Sequence, residues 1–270
     1  MTDPADLGHV VLVGAGNMGG AMLRRWPRQT RVTVIDPAPS EPIASHIRDV
    51  GFAHDASPES VEPADILVIA VKPQLMPKVL PGLRGLVHGG TIVVSIAAGT
   101  TSATFARALK TERIVRTIPN TPAMVGAGVT GAHAGPSVDE EARARVAALL
   151  ECSGAVVWVE REDDIDRVTA VSGSGPAYVF HLVEALAEAA REIGLTRDQA
   201  DTLARQTIIG AGALLATSDE SATTLRERVT SPGGTTAAAI DVLKTDGALR
   251  ELMTKAVEAA HRRAIQLGGS

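Results

Sequence analysis

The strongest constraint on the fold is the segment Val10–Gly20, in which an apolar run ends abruptly in glycines. Val10–Val13 is typical of a buried strand in a parallel sheet, and the next six residues form a G-x-G-x-x-G turn that opens a helix. In such a turn the first glycine permits a sharp exit from the strand, the second leaves the backbone bare for a pyrophosphate, and the third lets the helix pack close to the sheet. The anion then lies at a helix N-terminus, where free N–H groups and the positive dipole end favour it. We therefore predict a dinucleotide site at Gly14, Gly16, Asn17, Met18 and Gly19; an ordinary glycine-rich strand–helix turn is the alternative.

Composition narrows the classes of partner. The net charge is -5 and the sequence has no run rich in Lys and Arg, which argues against a nucleic-acid partner. The aromatic content of 2% leaves few side chains on which bases could stack. The seven histidines lack metal-ligand spacing, and the single Cys152 excludes an internal disulfide or a cysteine zinc cluster, so we expect no metal. No apolar run reaches the roughly 18 residues that span a bilayer, and the polar start Met1–Gly8 is unlike a signal peptide. We expect a cytoplasmic protein without a membrane partner.

The order of patterns predicts two domains. Apolar strands alternate with helices through the first half, which indicates a Rossmann-type, doubly wound parallel sheet. After the acidic patch Glu160–Asp166 only helical periodicity remains, so we divide the chain into a nucleotide-binding domain at 1–162 and an all-helical domain at 163–270. The long apolar helix faces exceed what one such helical domain can bury, which favours a homodimer. The predicted strands are Val10–Val13, Val32–Ile35, Asp65–Val71, Thr91–Ile96, Arg113–Thr117, Val129–Ala134 and Val156–Glu160.

Polar and small residues follow several of these strands, at the edge where a dinucleotide binds. Asp36 lies 22 residues after Gly14, where a carboxylate accepts the ribose 2′-OH of NAD and repels the 2′-phosphate of NADP. Lys72 follows a buried strand and could contact an anion of cofactor or substrate, and Ala97 and Ala98 leave room for a nicotinamide ring. A turn aspartate and a solvated lysine are the alternatives. Asp36 favours NADH over NADPH.

Two hydroxyl-bearing loops precede helices in the second half. Ser172–Tyr178 reads Ser-Gly-Ser-Gly-Pro-Ala-Tyr, a flexible serine and glycine turn with Pro176 at a helix start, and Val229–Thr236 contains the run Gly-Gly-Thr-Thr. Helix N-termini with hydroxyl groups suit a small carboxylate, although each loop alone could simply cap its helix. Two such loops are more than capping requires.

Five motifs together resemble a known family. They are Gly14–Gly19, Val71-Lys72-Pro73, Arg116–Ala123, Ser172–Tyr178 and Thr230–Thr236. In this order, over nearly the whole chain, the set resembles pyrroline-5-carboxylate reductase, the last enzyme of proline biosynthesis. The resemblance implies hydride transfer from NAD(P)H to the C=N bond of 1-pyrroline-5-carboxylate, giving L-proline. It also implies a Rossmann domain, a helical dimerisation domain, and homodimers that can assemble into decamers.

The resemblance also assigns site residues. It implies that Ser231, Gly233, Gly234 and Thr235 bind the substrate carboxylate, and that the Thr236 hydroxyl bonds the ring nitrogen as the catalytic group. Ser174 is a further substrate-binding candidate. The cofactor residues that it adds to the glycine turn and Asp36 are Val71, Lys72, Pro73, Ala97, Ala98 and Asn120.

The sequence departs from the family at one point, and two other functions stay open. Many members carry serine, threonine or arginine after the second strand, where Asp36-Pro37 stands here, which puts the usual NADPH preference in doubt. A β-hydroxyacid dehydrogenase would need a catalytic lysine at the start of the second domain, and no Lys occurs between Asp166 and Gly194. A nucleotide-sensing protein without catalysis would not need the two hydroxyl-bearing loops.

Overall fold

The computed structural model describes residues Leu7–Gly268 and divides the chain into two compact units. The first unit comprises the chain up to Ser174 together with the segment from Ala260 onward, and the second is Gly175–Ala259. All strands of the described residues belong to the first unit, and the second is helical.

The first unit is built on one eight-stranded sheet with the order β3-β2-β1-β4-β5-β6-β7-β8. The strands are β1 His9–Val13, β2 Arg31–Ile35, β3 Ala53–Asp55, β4 Ile66–Ile69, β5 Ile92–Ser95, β6 Ile114–Ile118, β7 Gly128–Ala134 and β8 Gly154–Trp158. β1 pairs in parallel with both β2 and β4, so the order of strands reverses between β1 and β4. The predicted Rossmann-type sheet is confirmed.

The expectation of an all-parallel sheet is wrong at β7, which pairs antiparallel with β6. The connection between these strands holds only a 3₁₀ segment, Thr121–Val125, and is too short for the crossover of a dozen or more residues that parallel pairing needs. The sequence reasoning also missed β3, whose three residues Ala-His-Asp carry no apolar pattern.

The central strands are buried on both faces. Val10 and Leu12 of β1 pack in one core cluster with Met22, whereas Val11 and Val13 pack in a second cluster that includes Phe105. Alternate residues of one strand therefore serve two cores, as a doubly wound sheet requires. The helices of this unit are α1 Asn17–Leu23, α2 Glu41–Val50, α3 Met76–Val79, α4 Ser102–Leu109, α5 Glu140–Glu151 and α6 Asp164–Val168.

Five further helices follow. They are α7 Gly175–Glu192, α8 Arg197–Thr217, α9 Ala222–Arg228, α10 Thr235–Lys244 and α11 Ala248–Gly268. A capping box begins α8: the Thr196 hydroxyl accepts from the Gln199 N–H and the Gln199 side chain accepts from the Thr196 N–H. α9 was not predicted, because its sequence Ala-Thr-Thr-Leu-Arg-Glu-Arg has a single large apolar residue and no helical period. Among the described helices, none has the length and apolar character to cross a membrane.

Candidate active site

Five loops meet at the carboxyl edge of the sheet. They follow β1, β2, β4, β5 and β6, which are parallel neighbours, so this edge collects Gly14–Gly19, Asp36, Val71–Pro73, Ala97–Gly99 and Asn120. The reversal of strand order between β1 and β4 opens a crevice at this edge, which is where open α/β sheets bind their ligands.

The three glycines of the first loop have distinct backbone roles. Gly14 has φ +90°, a left-handed conformation, and a Cβ there would lie 3.0 Å from the Ala70 carbonyl oxygen. A Cβ on Gly19 would lie 2.2 Å from the Gly14 carbonyl oxygen, so the helix approaches the loop more closely than any side chain allows. Around Gly16 there is open space within 4 Å. The turn is thus closed at its ends and bare in its middle.

Gly16 is also the N-cap of α1 and brings no side chain to the end of the helix. The first N–H groups of a helix have no partner within the helix itself, and they point out of its N-terminus. Asn17 is exposed there and Met18 is half-buried against the core. The arrangement fits a pyrophosphate held by backbone N–H groups.

Asp36 lies at the end of β2 and faces the glycine loop. Its carboxylate accepts from the Ala15 N–H at 2.7 Å and from the Ala38 N–H at 2.9 Å. Both bonds fix the direction of the carboxylate, and the side chain lines a cleft of about 410 Å³ beside Gly16 and Asn17. An anion approaching this cleft meets a fixed negative charge.

Other residues of the cleft were missed by the sequence reasoning. Arg24, Ser40 and Met124 line it together with Asp36. Arg24 is exposed and donates to the Pro42 carbonyl at 3.0 Å. It lies seven positions after Asn17, which places both on one face of the same helix, and this spacing is the signal that could have found it.

The loop after β4 contains Val71, Lys72 and Pro73. Val71 packs partly against the second core cluster, and Pro73 begins a 3₁₀ turn for which Lys72 is the N-cap. Lys72 is exposed, and within residues 7–268 it forms no ion pair with a carboxylate. Its ammonium group is therefore available to an anionic ligand.

The loop after β5 is held from two sides. The buried Ala97 donates its N–H to the Ser95 hydroxyl at 3.2 Å, whereas Ala98 is exposed. Gly99 has φ +73°, and a Cβ there would lie 2.8 Å from the Leu267 carbonyl oxygen. The backbone of this loop is thus pressed against the end of α11, while Ala98 leaves an open surface.

A buried arginine anchors the same region. Arg116 of β6 is almost fully buried and pairs with Glu162 and Asp166, each at 3.3 Å. Glu162 also accepts from the Ser102 N–H at 2.7 Å, at the start of α4. Glu162 thus ties β6 to the start of α4, and Asp166 ties β6 to α6. Sequence reasoning had assigned the acidic patch that holds both carboxylates only to a domain boundary.

Asn120, a cofactor candidate, has a side chain whose two polar atoms each bond the protein backbone. It is 7% exposed; its Oδ1 accepts from the Val129 N–H at 2.9 Å, and its Nδ2 donates to the Ser172 carbonyl at 3.1 Å. The side chain therefore braces β7 and the Ser172 backbone.

The predicted flexible turn before Pro176 is instead helical. α6 continues into a π-helical turn, Thr169–Gly173, and the Ser174 N–H donates to the Thr169 carbonyl five residues earlier at 2.9 Å. Turns of this kind are rare and occur often at functional sites. Ser174 is half-buried directly after the π turn.

In the second unit the loop before α10 forms an open helix start. Gly233 has φ +71°, and the Gly234 N–H donates to the Ser231 carbonyl at 3.0 Å. Gly234 is the N-cap and has no side chain, so Thr235 and Thr236 begin the helix with unpaired N–H groups. Ser231, Gly233 and Thr235 are exposed, and Thr236 is half-buried. This set of N–H and hydroxyl donors fits a small carboxylate.

Other titratable groups lie outside this geometry. Burial raises the pKa of the Cys152 thiol, whose Sγ–H donates to the Ala148 carbonyl at 3.3 Å, so the thiolate is disfavoured. Among the described residues, no three His, Cys, Asp or Glu side chains gather in a way that could hold a metal ion.

Comparison with known proteins gives a consistent result along the chain. A family model described as pyrroline-5-carboxylate reductase dimerisation matches residues 162–267, and one described as NADP oxidoreductase coenzyme F420-dependent matches residues 9–99. The pyrroline-5-carboxylate reductase of Pseudomonas aeruginosa is 37% identical over 265 residues, covering 96% of each chain. That of Escherichia coli K12 is 39% identical, covering 93% of this chain and 96% of the relative.

Solved structures agree. A pyrroline-5-carboxylate reductase from Coxiella burnetii superposes with a TM-score of 0.87 at 36% identity, covering 96% of this chain and 97% of the other. A Plasmodium falciparum pyrroline carboxylate reductase with NADP bound superposes with a TM-score of 0.78 at 27% identity, covering 96% and 98%.

Proposed function

This chain belongs to the pyrroline-5-carboxylate reductase family, and we infer that it reduces the C=N bond of 1-pyrroline-5-carboxylate to give L-proline. It is an NAD(P)-dependent oxidoreductase. The observation that carries this function is the glycine turn after β1, whose bare middle at Gly16 opens onto a crevice lined by the loops of five neighbouring strands. A small-molecule substrate follows from the same assignment.

The residues of the first unit fit a dinucleotide. A nicotinamide dinucleotide, when bound and reduced, supplies the hydride for the C=N bond. We propose that the turn Gly14, Gly16, Asn17, Met18 and Gly19 holds its pyrophosphate: Gly14 and Gly19 set the close turn, and the backbone N–H groups at the start of α1 face the anion. The further cofactor contacts that we propose come from Val71, Lys72, Pro73, Ala97 and Ala98.

Asp36 supports a preference for NADH. Its carboxylate is fixed by two backbone N–H groups, and each oxygen keeps a lone pair that can accept a bond from a ribose hydroxyl. A 2′-phosphate in the same cleft would approach a like charge. Arg24, which lines the same cleft, would reduce that repulsion.

We propose that the substrate carboxylate binds at the start of α10. The N–H and hydroxyl groups of Ser231, Gly233 and Thr235 act as donors, Gly234 contributes a helix start without a side chain, and Ser174 is a further contact. Fixing the carboxylate orients the ring, so that the imine carbon can be held in a near-attack geometry. The iminium form reacts more readily than the imine, and solution supplies its proton, so the chain needs no strong acid.

Thr236 is the residue that we propose as catalytic. Its hydroxyl bonds the ring nitrogen and can relay the proton there. Removing it in Thr236→Ala should cost on the order of 1–3 kcal/mol, which is about 5- to 150-fold in turnover. Thr236→Ser keeps the hydroxyl and is the matched control. Unchanged turnover in Thr236→Ala would contradict the role, as would an equal loss in the binding of NADH alone.

The direct test of function is an assay of the purified protein with pyrroline-5-carboxylate and either NADH or NADPH. Loss of absorbance from the reduced cofactor should require both substrates and yield proline. Consumption of neither cofactor, with the protein folded, would refute the activity.

We further propose that residues 163–270 form a substrate-binding and dimerisation domain. Large apolar side chains are exposed on its helices, including Phe180, Val242 and Leu252, and the matched family model for 162–267 is named for dimerisation. A homodimer would cover these faces. A decamer and a cytoplasmic location stay predictions.

A further inference from the structure

The Ser172 carbonyl lies where the π turn Thr169–Gly173 meets α7, and it lacks an α-helical donor. In an α-helix the carbonyl of residue i accepts from the N–H of residue i+4. Continued back from α7, this pattern pairs the Ser172 carbonyl with residue 176, which is proline and has no N–H. A buried carbonyl without a donor costs free energy, so another donor must serve it.

The donor that serves it is the side chain of Asn120. Its Nδ2 lies 3.1 Å from the Ser172 carbonyl oxygen, while its Oδ1 accepts from Val129 in β7. Asn120 lies two residues after the end of β6 and is buried. One side chain thus joins the end of β6, the start of β7 and the turn that precedes Ser174.

We infer that Asn120 is a positioning residue for Ser174, acting through the Ser172 carbonyl that Pro176 leaves free. Pro176 has no N–H for the Ser172 carbonyl, and the Asn120 amide supplies one in its place. The N–H of Ser174 is bonded to Thr169, so the turn keeps its internal shape, and Asn120 fixes where that turn lies at the carboxyl edge of the sheet. The inference rests on the proposed function, in which Ser174 contacts the substrate.

The consequence is a selective effect on the reaction. An error of about 1 Å in placing a reacting group can cost on the order of 100-fold in rate. A loose turn would raise KM for the cyclic imine and lower kcat. It would leave the dissociation constant of NADH unchanged, because the buried Asn120 amide directs both of its polar atoms to the protein backbone.

The test begins with Asn120→Asp. The carboxylate keeps an oxygen for the Val129 N–H but places its second oxygen, without a hydrogen, against the Ser172 carbonyl. We expect kcat/KM for pyrroline-5-carboxylate to fall about tenfold or more, with NADH affinity by fluorescence titration within twofold of wild type. Should N120D fail to fold, Asn120→Ser, which is small and uncharged, replaces it in the same comparison.

A second substitution tests whether the effect of N120D arises at the Ser172 carbonyl. Pro176→Ala in the N120D background supplies the missing backbone N–H and should restore part of the lost kcat/KM. Pro81→Ala, at an exposed proline in the 3₁₀ segment Leu80–Leu86, is the matched control and should restore nothing. Absence of rescue by P176A, or a parallel loss of NADH affinity in N120D, would overturn the inference. If wild type itself fails to reduce the imine, the proposed function has failed instead.

Discussion

Substituting Asp36 tests the reading of the cofactor cleft. Asp36→Ser removes a carboxylate that is held at 2.7 Å from Ala15 N and 2.9 Å from Ala38 N, at the end of β2. Two unit charges 4 Å apart interact by about 4 kcal/mol at an effective dielectric constant of 20. The carboxylate is half-buried beside solvent, and Arg24 lines the same cleft, so we reduce this repulsion to about 1.4–2.8 kcal/mol. The ratio of kcat/KM for NADPH to that for NADH should then rise about 10- to 100-fold.

The assay compares wild type, Asp36→Ser and Asp36→Asn with both cofactors at fixed pyrroline-5-carboxylate. Asp36→Asn keeps the shape and one acceptor without the charge, so it separates repulsion from hydrogen bonding. Adding Arg24→Ala to Asp36→Ser should cancel most of the gain, because the cation that would face a 2′-phosphate is lost. If neither variant at 36 raises the NADPH ratio, the carboxylate does not discriminate at the ribose and our interpretation of Asp36 is wrong.

The remaining predictions concern folding and the glycine turn. Gly19→Ala places a Cβ 2.2 Å from the Gly14 carbonyl oxygen and should lower the free energy of unfolding, measured by urea denaturation, by about 1–3 kcal/mol. Gly16→Ala meets open space, so it should leave the free energy of unfolding unchanged and weaken NADH binding. Arg116→Ala leaves two carboxylates without their cation and should lower the free energy of unfolding by about 3–5 kcal/mol. A loss below about 1 kcal/mol would show that the two ion pairs do not stabilise the fold. The Ala142 N–H and then Arg113 hold the pKa of Asp139 below its usual value, so Asp139 stabilises the fold above its unfolded-state pKa, and this stabilisation disappears as the pH falls through the folded-state pKa. The difference in Tm between wild type and Asp139→Ala should therefore be present at neutral pH and vanish in acid; a difference that persists there would contradict the linkage.

Much of the first unit could be predicted because its signals are local. The strand and glycine turn at Val10–Gly19 combine a buried apolar run with three glycines; the structure gives Gly14 and Gly19 steric reasons and leaves open space at Gly16. The capping box at Thr196 is equally local, because both of its partners lie within four residues. Strands without an apolar pattern, such as Ala53–Asp55, gave no signal.

The site features that escaped prediction depend on contacts between distant segments. Arg116 with Glu162, and Asn120 with Ser172, are separated by 46 and 52 residues, and nothing in either local pattern indicates the pairing. The turn before Pro176 was expected to be flexible because serine and glycine dominate it. It is helical because a bond over five residues and the Asn120 amide satisfy its backbone.

The most direct test of the central claim is a crystal structure of the protein with reduced dinucleotide and a pyrroline-5-carboxylate analogue bound. We predict that the analogue's carboxylate lies on the N–H groups of Ser231–Thr235, from either subunit, with its ring nitrogen within about 2.7–3.2 Å of the Thr236 hydroxyl and its ring beside the nicotinamide. A complex in which this turn lies far from the nicotinamide in both subunits would contradict the account.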